Sequence, residues 1–311
     1  MGDLAGARPE RVALGVATIV ATTVAMSFGD AAVKYVSSNF SVWQLYVLRS
    51  VLAIPLTILL IKLGARPREI LPLSVGWAAL RSLLLMAMWI AFYAALSVLS
   101  LSTVAAAYYT APLFITAFSA LIAGEPVGPR RWLGILVGFG GVLVIVRPGS
   151  EAFSWPTLLP ILSAMCYALA AIVTRIKCVD EKPLVLSLAL NAAFLLTGAI
   201  ASAAIARWAP SPRIVGINPF ILGYWSALGA REWEIVAMLA VLIVAVSAGV
   251  ARAYQSAPSA IIAAFDYSYL VFAALWSFAI FAEPPSAIEI AGMTLIAGAG
   301  WLVVRSPAAE V

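Results

Sequence analysis

The chain of 311 residues is 64% hydrophobic and 11% charged, and its mean hydropathy is +1.04. Soluble domains carry about a quarter charged residues, so this composition excludes a water-soluble protein and predicts that lipid surrounds most of the chain. The formal charge of +5 does not indicate a nucleic-acid partner, because most Lys and Arg residues lie at the ends of apolar segments, as in membrane proteins.

Ten apolar segments are long enough to cross a bilayer, which takes about 20 residues. The first follows Arg8 and Arg11 as a signal peptide would, but its apolar run is too long for a cleavable core, so we interpret it as a membrane helix. A long Pro- and Gly-containing connection, Arg207–Glu232, is expected to place its apolar part on the membrane surface. The predicted spans are 12–36, 42–63, 73–98, 101–122, 131–147, 156–176, 185–206, 233–254, 257–281 and 287–304.

The distribution of basic residues predicts the orientation of these spans. With the N-terminus inside, eleven Lys and Arg residues fall on the cytoplasmic side and five on the outside. Cytoplasmic loops of membrane proteins are enriched in Lys and Arg, so both termini are expected in the cytoplasm.

The chain is a tandem duplication. Shifted by 158 positions, the stretch 95–147 aligns without a gap with 253–305, so that Tyr109 matches Tyr267 and Glu125 matches Glu283. Five helices per repeat is an odd number, so the second copy is predicted to be inverted in the membrane. We therefore predict an all-α membrane protein of ten helices in two inverted repeats, 1–150 and 151–311, with the two-fold arrangement complete in a monomer.

Charged residues within the spans are costly in lipid and indicate a partner or a function. Asp30 and Lys34 are one helical turn apart, so they can pair directly, or they can take part in gating or binding. For Arg49 the sequence favours a structural clamp to Asp30 or to helix-end carbonyls. Glu125 and Glu283, each followed by proline, are interpreted as matched helix caps.

Asp266 is the clearest functional candidate among the carboxylates. It lies about nine residues into the ninth span, beside Tyr267, at the position that matches Tyr108 in the first repeat. The chain contains no histidine, so this carboxylate is the best candidate for binding a proton or an amine. The alternative is a structural carboxylate that neighbouring hydroxyls satisfy.

Aromatic residues predict a cavity near the middle of the membrane. Trp89 and Tyr93 share one face of the third span, and Pro112 breaks the fourth span just after Tyr108 and Tyr109. Such a stripe is often only packing, but tyrosine hydroxyls facing lipid would lack partners, which favours a cavity. The predicted substrate-binding residues are Lys34, Trp89, Tyr93, Tyr108, Tyr109, Met165, Tyr167, Asp266 and Tyr267.

These features resemble the EamA-type branch of the ten-helix drug/metabolite transporter superfamily over essentially the whole chain. The resemblance rests on Phe28-Gly29 followed by Lys34, on Arg49, and on Phe92–Leu96 leading to Pro112 and Gly124-Glu125. The second copy departs from the pattern, since Leu270 replaces Pro112 and Ala282 replaces Gly124. Within the family, the chain looks most similar to bacterial exporters of aromatic amino acids.

The resemblance implies an exporter of amino acids, other metabolites or toxic organic compounds. We expect an exporter of amino acids, aromatic or bulky neutral, in the bacterial inner membrane. It would work by alternating access, with Asp266 on the amine and Lys34 on the carboxylate. A multidrug exporter of lipophilic cations is the alternative, for which Asp266 and the aromatic rings suffice. An enzyme is disfavoured, because the sequence has no histidine, no metal-ligand spacing and no nucleophile–base pair. No cofactor or metal is expected, and the absence of a GxxxxGK[ST] sequence argues against an ATP-driven pump acting alone.

Overall fold

The protein is a bundle of helices, and all regular secondary structure in the described residues is helical. The computed structural model describes residues 9–36, 40–63, 70–124, 128–146 and 155–305. The helices are α1 (Pro9–Val36), α2 (Val42–Leu63), α3 (Val75–Leu96), α4 (Leu101–Tyr108), α5 (Ala111–Leu121), α6 (Pro129–Val146), α7 (Leu158–Lys177), α8 (Pro183–Trp208), α9 (Pro212–Val215), α10 (Pro219–Leu222), α11 (Ala230–Ser256), α12 (Ser259–Asp266), α13 (Ser268–Phe281) and α14 (Ala287–Arg305).

Seven helical segments within the described residues are long and apolar enough to cross a membrane. They have 21 to 27 residues, which at 1.5 Å per residue gives about 30 Å or more, the thickness of the hydrocarbon core. These seven comprise α1, α2, α3, α7 with its preceding 3₁₀ turn, α8, α11 and Ile261–Phe281. The predicted all-α, multi-pass membrane protein is confirmed.

Each of the ten predicted spans coincides with helical structure, but two of them are broken. Span 101–122 consists of α4 and α5, which are separated at Tyr109 and Thr110. This break lies just before Pro112, whose missing N–H cannot continue the hydrogen-bond ladder. Span 257–281 breaks between α12 and α13 at Tyr267, although it has no proline there.

The helix boundaries repeat at the same offset of 158 positions as the sequence. This offset separates the starts of α4 and α12, the ends of α4 and α12, and the starts of α6 and α14. The two helix breaks therefore fall at matching positions, with Tyr109 at the first and Tyr267 at the second.

Helix packing follows the same correspondence. The first two helices of each repeat match at an offset of 139 positions, at which residues 25–33 of α1 align with residues 164–172 of α7. The helix α1 packs along α11. Its counterpart α7 packs along α3, which matches α11. Likewise α1 contacts α13 and α7 contacts α5, while α2 packs on its own counterpart α8 and α6 on α14. The core lies where α1, α3, α7 and α11 meet the two broken helices.

The connection between α8 and α11 folds over one end of the bundle. The Gln44 side chain exchanges two hydrogen bonds with the Ser226 backbone, at 2.7 and 3.0 Å. Phe220 is 2% exposed, and its ring lies 6.4 Å from that of Tyr93. The sequence predicts that the apolar part of this connection lies on the membrane surface, whereas these contacts hold Phe220 and Ser226 against the bundle.

Candidate functional site

Two carboxylates are buried in the centre of the bundle, and the first, Asp30 on α1, binds two tyrosines. Asp30 is 1% exposed. Tyr93 on α3 donates to its Oδ1 at 3.3 Å, and Tyr269 on α13 donates to its Oδ2 at 2.6 Å. A carboxylate oxygen can accept two hydrogen bonds, so each oxygen of Asp30 keeps a further acceptor position.

The second carboxylate, Asp266, is the last residue of α12 and lies at the helix break. The Tyr109 hydroxyl donates at 2.6 Å to its backbone carbonyl, one of those that the end of a helix leaves unpaired. Its side-chain Oδ1 has no hydrogen-bond partner within the described residues, although Tyr167 and Tyr254 lie nearby. A buried polar atom without a partner is costly, and it suggests a place where a ligand or a proton can bind.

A group of aromatic rings connects the two carboxylates. The tyrosine cluster comprises Tyr93, Tyr108, Tyr109, Tyr167, Tyr254, Tyr267 and Tyr269, all of them buried. Within it, the ring of Tyr109 lies 5.3 Å from Tyr269 and 5.6 Å from Tyr267, and Tyr108 lies 5.8 Å from Tyr167. The hydroxyls of Tyr108, Tyr167, Tyr254 and Tyr267 have no hydrogen-bond partner within the described residues. The cluster therefore offers both ring faces and free hydroxyls.

Arg49 on α2 is a buried cation in the same region. It is 1% exposed, and its guanidinium carbon lies 4.6 Å from the ring centre of Phe194 and 5.4 Å from that of Tyr46. Its Nε and Nη2 have no hydrogen-bond partner within the described residues. The predicted direct clamp to Asp30 is not formed within the described residues, because the guanidinium lies over the two rings and interacts with Tyr93, which itself binds Asp30.

A cavity of about 20 Å³ is lined by Arg49 and Asp30. Trp89 and Tyr93 of α3 also line it, and their rings lie 5.1 Å apart. The residues that α11 contributes to the lining are apolar. This volume holds about one water molecule, so a metabolite can enter only if the surrounding helices move apart.

The structure brings together seven of the nine predicted site residues. Trp89, Tyr93, Tyr108, Tyr109, Tyr167, Asp266 and Tyr267 are buried around the cavity or in the tyrosine cluster. Met165 is instead 38% exposed, so it lies on the outer face of α7 and not in the cluster. Helix geometry explains why Met165 is exposed while Tyr167 is buried. Side chains two residues apart on a helix point about 200° apart, so these two lie on different faces of α7.

Lys34 also lies apart from the cluster. Its Nζ pairs with Glu283 just after α13 at 3.1 Å and lies 5.0 Å from the Phe281 ring centre. The predicted pair with Asp30 is not formed, because Asp30 binds the two tyrosines and Lys34 reaches a carboxylate at the end of the bundle. The interpretation of Glu283 as a helix cap gives way to this ion pair, and Glu125 lies outside the described residues.

The sequence analysis missed three buried residues of the site. Tyr254 lies beside Asp266, Tyr269 binds Asp30, and the Tyr46 hydroxyl is buried without a partner within the described residues. For Tyr269 a signal was present, since it follows Tyr267 by two residues just after a helix break. Within the described residues, no group of three or more His, Cys, Asp or Glu side chains could hold a metal ion.

Comparison with known proteins gives this geometry a context. Residues 13–147 match the EamA-like transporter family, a match that includes Asp30, Arg49 and α3 to α5. The chain is similar to this family over those residues, which make up less than half of its length. The matching family and the relatives are transporters and not enzymes, as the sequence predicts.

The relatives of this chain carry different small molecules. A riboflavin transporter of Rhizobium johnstonii is 33% identical over 34% of this chain, and the matched part covers 36% of that protein's length. A riboflavin transporter of Brucella anthropi is 29% identical over 85% of this chain and 86% of its own. The pseudopaline exporter of Pseudomonas aeruginosa is 26% identical over 91% of this chain and 93% of its own.

A solved crystal structure has the same fold as this chain. It covers 96% of this chain and 99% of its own, with a TM-score of 0.67 and 15% sequence identity. The fold agrees with the family match over residues 13–147 and with the Brucella anthropi and Pseudomonas aeruginosa relatives, which support a small-molecule transporter of the membrane.

Proposed function

We propose that the protein transports a flat aromatic metabolite with several hydroxyl groups, such as riboflavin, across the bacterial inner membrane. The observation that carries this proposal is the tyrosine cluster, which presents ring faces and unpartnered hydroxyls at the breaks of two helices. Broken helices of transporters typically surround the substrate site, because their free backbone groups line a cavity and not lipid.

The chemistry of riboflavin suits this site. Its tricyclic ring can stack on tyrosine and tryptophan faces, and its hydroxylated chain can pair with free hydroxyls. Four hydroxyls of the cluster, those of Tyr108, Tyr167, Tyr254 and Tyr267, lack partners within the described residues. The two riboflavin transporters among the relatives agree with a substrate of this kind.

Alternating access between two inverted repeats, 1–150 and 151–311, is the proposed mechanism. The helix packing supports two repeats, because α1 of the first repeat packs on α11 of the second, and α7 of the second packs on α3 of the first. Glu181, in the turn between α7 and α8, bonds the start of α3, while Gln255, at the end of α11, donates to the Glu181 carbonyl. The matching helices α3 and α11 thus run in opposite directions. We infer a monomer with both termini in the cytoplasm, as the distribution of basic residues predicts.

Contacts between the proposed repeats close both ends of the bundle. At one end Lys34 pairs with Glu283, and at the other the Glu181 carboxylate accepts from the backbone N–H groups of Leu73 and Ser74 at 2.9 and 2.8 Å. Alternating access requires one set of contacts to open while the other holds.

Reversing one charge of the Lys34–Glu283 pair is expected to slow transport. Both side chains are partly exposed, so solvent screens the pair and a Lys34→Glu change should lower the transport rate roughly 2- to 5-fold. Exchanging both residues, Lys34→Glu with Glu283→Lys, should restore most of the rate, because the pair forms again with opposite polarity. Flux assays on both single variants and the double variant measure the transport rates. If the double variant does not recover, the Lys34–Glu283 pair is not one of the contacts that control opening of this end of the bundle.

Export of aromatic amino acids is a second candidate function. Arg49 and the two buried carboxylates offer opposite charges that match an amino acid's carboxylate and ammonium groups. In this form Arg49 takes the role that the sequence analysis gave to Lys34. A lipophilic cation would need only the carboxylates and the rings, and so leaves Arg49 without a partner.

Reconstituted vesicles distinguish these substrates. We expect saturable flux of labelled riboflavin in vesicles with the protein and none in empty vesicles. Phenylalanine, tryptophan, threonine and a lipophilic cation such as tetraphenylphosphonium serve as competitors and as labelled substrates. Saturable movement of an amino acid without riboflavin flux would transfer the assignment to the second candidate, and movement of the cation alone would favour a multidrug exporter.

A further inference from the structure

We infer that Arg49 and Asp30 together select substrates whose ring edge carries a carbonyl oxygen next to an N–H group, as in a cyclic imide. This inference rests on the proposed function, since riboflavin carries such an edge. It names two specificity-determining residues, and it places the polar end of the substrate between α1 and α2, away from Lys34.

The first observation is the state of the Arg49 guanidinium. Its Nε and Nη2 donors have no partner within the described residues, although the side chain is 1% exposed and lines the cavity. A buried charge is normally paired, since leaving it unpaired costs several kcal/mol. The guanidinium lies over the rings of Phe194 and Tyr46. Arg49 also interacts with the Tyr93 hydroxyl, so Nε and Nη2 are the donors that remain available. A carbonyl oxygen of the substrate would satisfy these donors.

The second observation is the acceptor capacity of Asp30 in the same cavity. Its Oδ1 accepts from Tyr93 at a long 3.3 Å and retains a second acceptor position. Among the described residues Arg49 and Asp30 form no ion pair, and both line the cavity. A donor and an acceptor that line one cavity match a ligand edge with the complementary order, an oxygen towards Arg49 and an N–H towards Asp30.

The third observation is the distribution of polarity around the cavity. Its charged and aromatic residues all come from α1, α2 and α3, whereas α11 contributes the apolar residues Leu239, Leu242, Ile243 and Val246. Movement of α11 would therefore enlarge the cavity without disturbing Arg49, Asp30 or Trp89. The ring of the substrate would stack on Trp89 and Tyr93, with its polar edge between the two charges.

A pair of ligands that differ only at this edge tests the inference. In 3-methylriboflavin the imide N–H is replaced by N–CH₃, while both carbonyl groups remain. Hydrogen bonds to charged groups contribute enough that the wild-type protein should bind riboflavin roughly 10- to 100-fold more tightly than 3-methylriboflavin. Quenching of flavin fluorescence by the purified protein in detergent gives both affinities.

Two variants separate the contributions of the charges. Asp30→Asn should reduce the preference for riboflavin to a few-fold, because it replaces the charged acceptor with an amide. Arg49→Gln should weaken both ligands alike and preserve their ratio, because both retain the carbonyl groups. Asp180→Asn, the same change on an exposed side chain, should alter neither affinity.

The outcomes distinguish this inference from the proposed function. Equal binding of the two flavins by the wild-type protein overturns the inference while leaving riboflavin as the substrate, and it needs no variant to fold. The inference is also overturned if the Asp30→Asn variant still prefers riboflavin over 3-methylriboflavin as strongly as the wild-type protein does. If neither flavin binds, the proposed function fails, and calorimetry with uridine and 3-methyluridine decides the inference. A preference for uridine supports it, and equal or absent binding overturns it.

Discussion

Replacing Arg49 with methionine is expected to raise the thermal stability of the purified protein and to lower riboflavin transport about 100-fold. The stability should rise because two nitrogens of this buried guanidinium have no partner within the described residues, and apolar replacements of buried charges often stabilise by about 1–4 kcal/mol. For a protein of this size, each kcal/mol corresponds to roughly 2–4 °C in the unfolding midpoint or less. Transport should fall because charge-assisted hydrogen bonds to the substrate, each about 1.5–3 kcal/mol, are lost.

Thermal unfolding and vesicle flux on the same preparation measure these two effects. Arg81→Met is the matched control, since Arg81 is equally buried but donates to Thr174 at 2.8 Å and does not line the cavity. Its riboflavin affinity should stay within about 3-fold of wild type, because no substrate contact is removed. A less stable Arg49→Met protein that still transports would mean that Arg49 is structural, as the sequence analysis assumed.

Much of the fold follows from linear properties of the sequence. Hydropathy alone predicts the seven long apolar helices of the described residues, because a helix in lipid must be apolar along its whole length. The offset of 158 positions predicts matching helix boundaries, and α4 and α12 do begin and end at that offset. The same offset places Tyr109 and Tyr267 at matching positions in the two helix breaks, and it pairs Tyr108 with Asp266.

The residues that the sequence analysis misplaced depend on which helix faces meet. In a membrane both the lipid face and the core face of a helix are apolar, so hydrophobicity does not distinguish them. Met165 was therefore assigned to the core, although it is 38% exposed, and Tyr167, two residues later, is buried. The position of Lys34 was not predicted for another reason. Its partner Glu283 is 249 residues away in the sequence, and only the packing of α1 on α13 brings the two side chains together.

Replacing Asp266 with asparagine is expected to abolish flux driven by a pH gradient while leaving substrate exchange without a gradient. An amide is isosteric with the carboxylate but cannot take up a proton at physiological pH. Asp266 suits this role because its Oδ1 has no partner within the described residues, whereas both oxygens of Asp30 already accept from tyrosines. We expect a loss of at least tenfold in gradient-driven riboflavin accumulation and a change of less than about threefold in exchange.

Vesicles with an imposed pH gradient, compared with vesicles at equal pH, separate the two rates. Asp180→Asn on the surface is the control for the chemical change, and it should retain gradient-driven flux. If Asp266→Asn leaves accumulation intact, this carboxylate is structural, and its backbone contact with Tyr109 is its main contribution to the helix break. If both rates are lost, Asp266 binds the substrate itself, since exchange requires substrate binding but no net movement of protons.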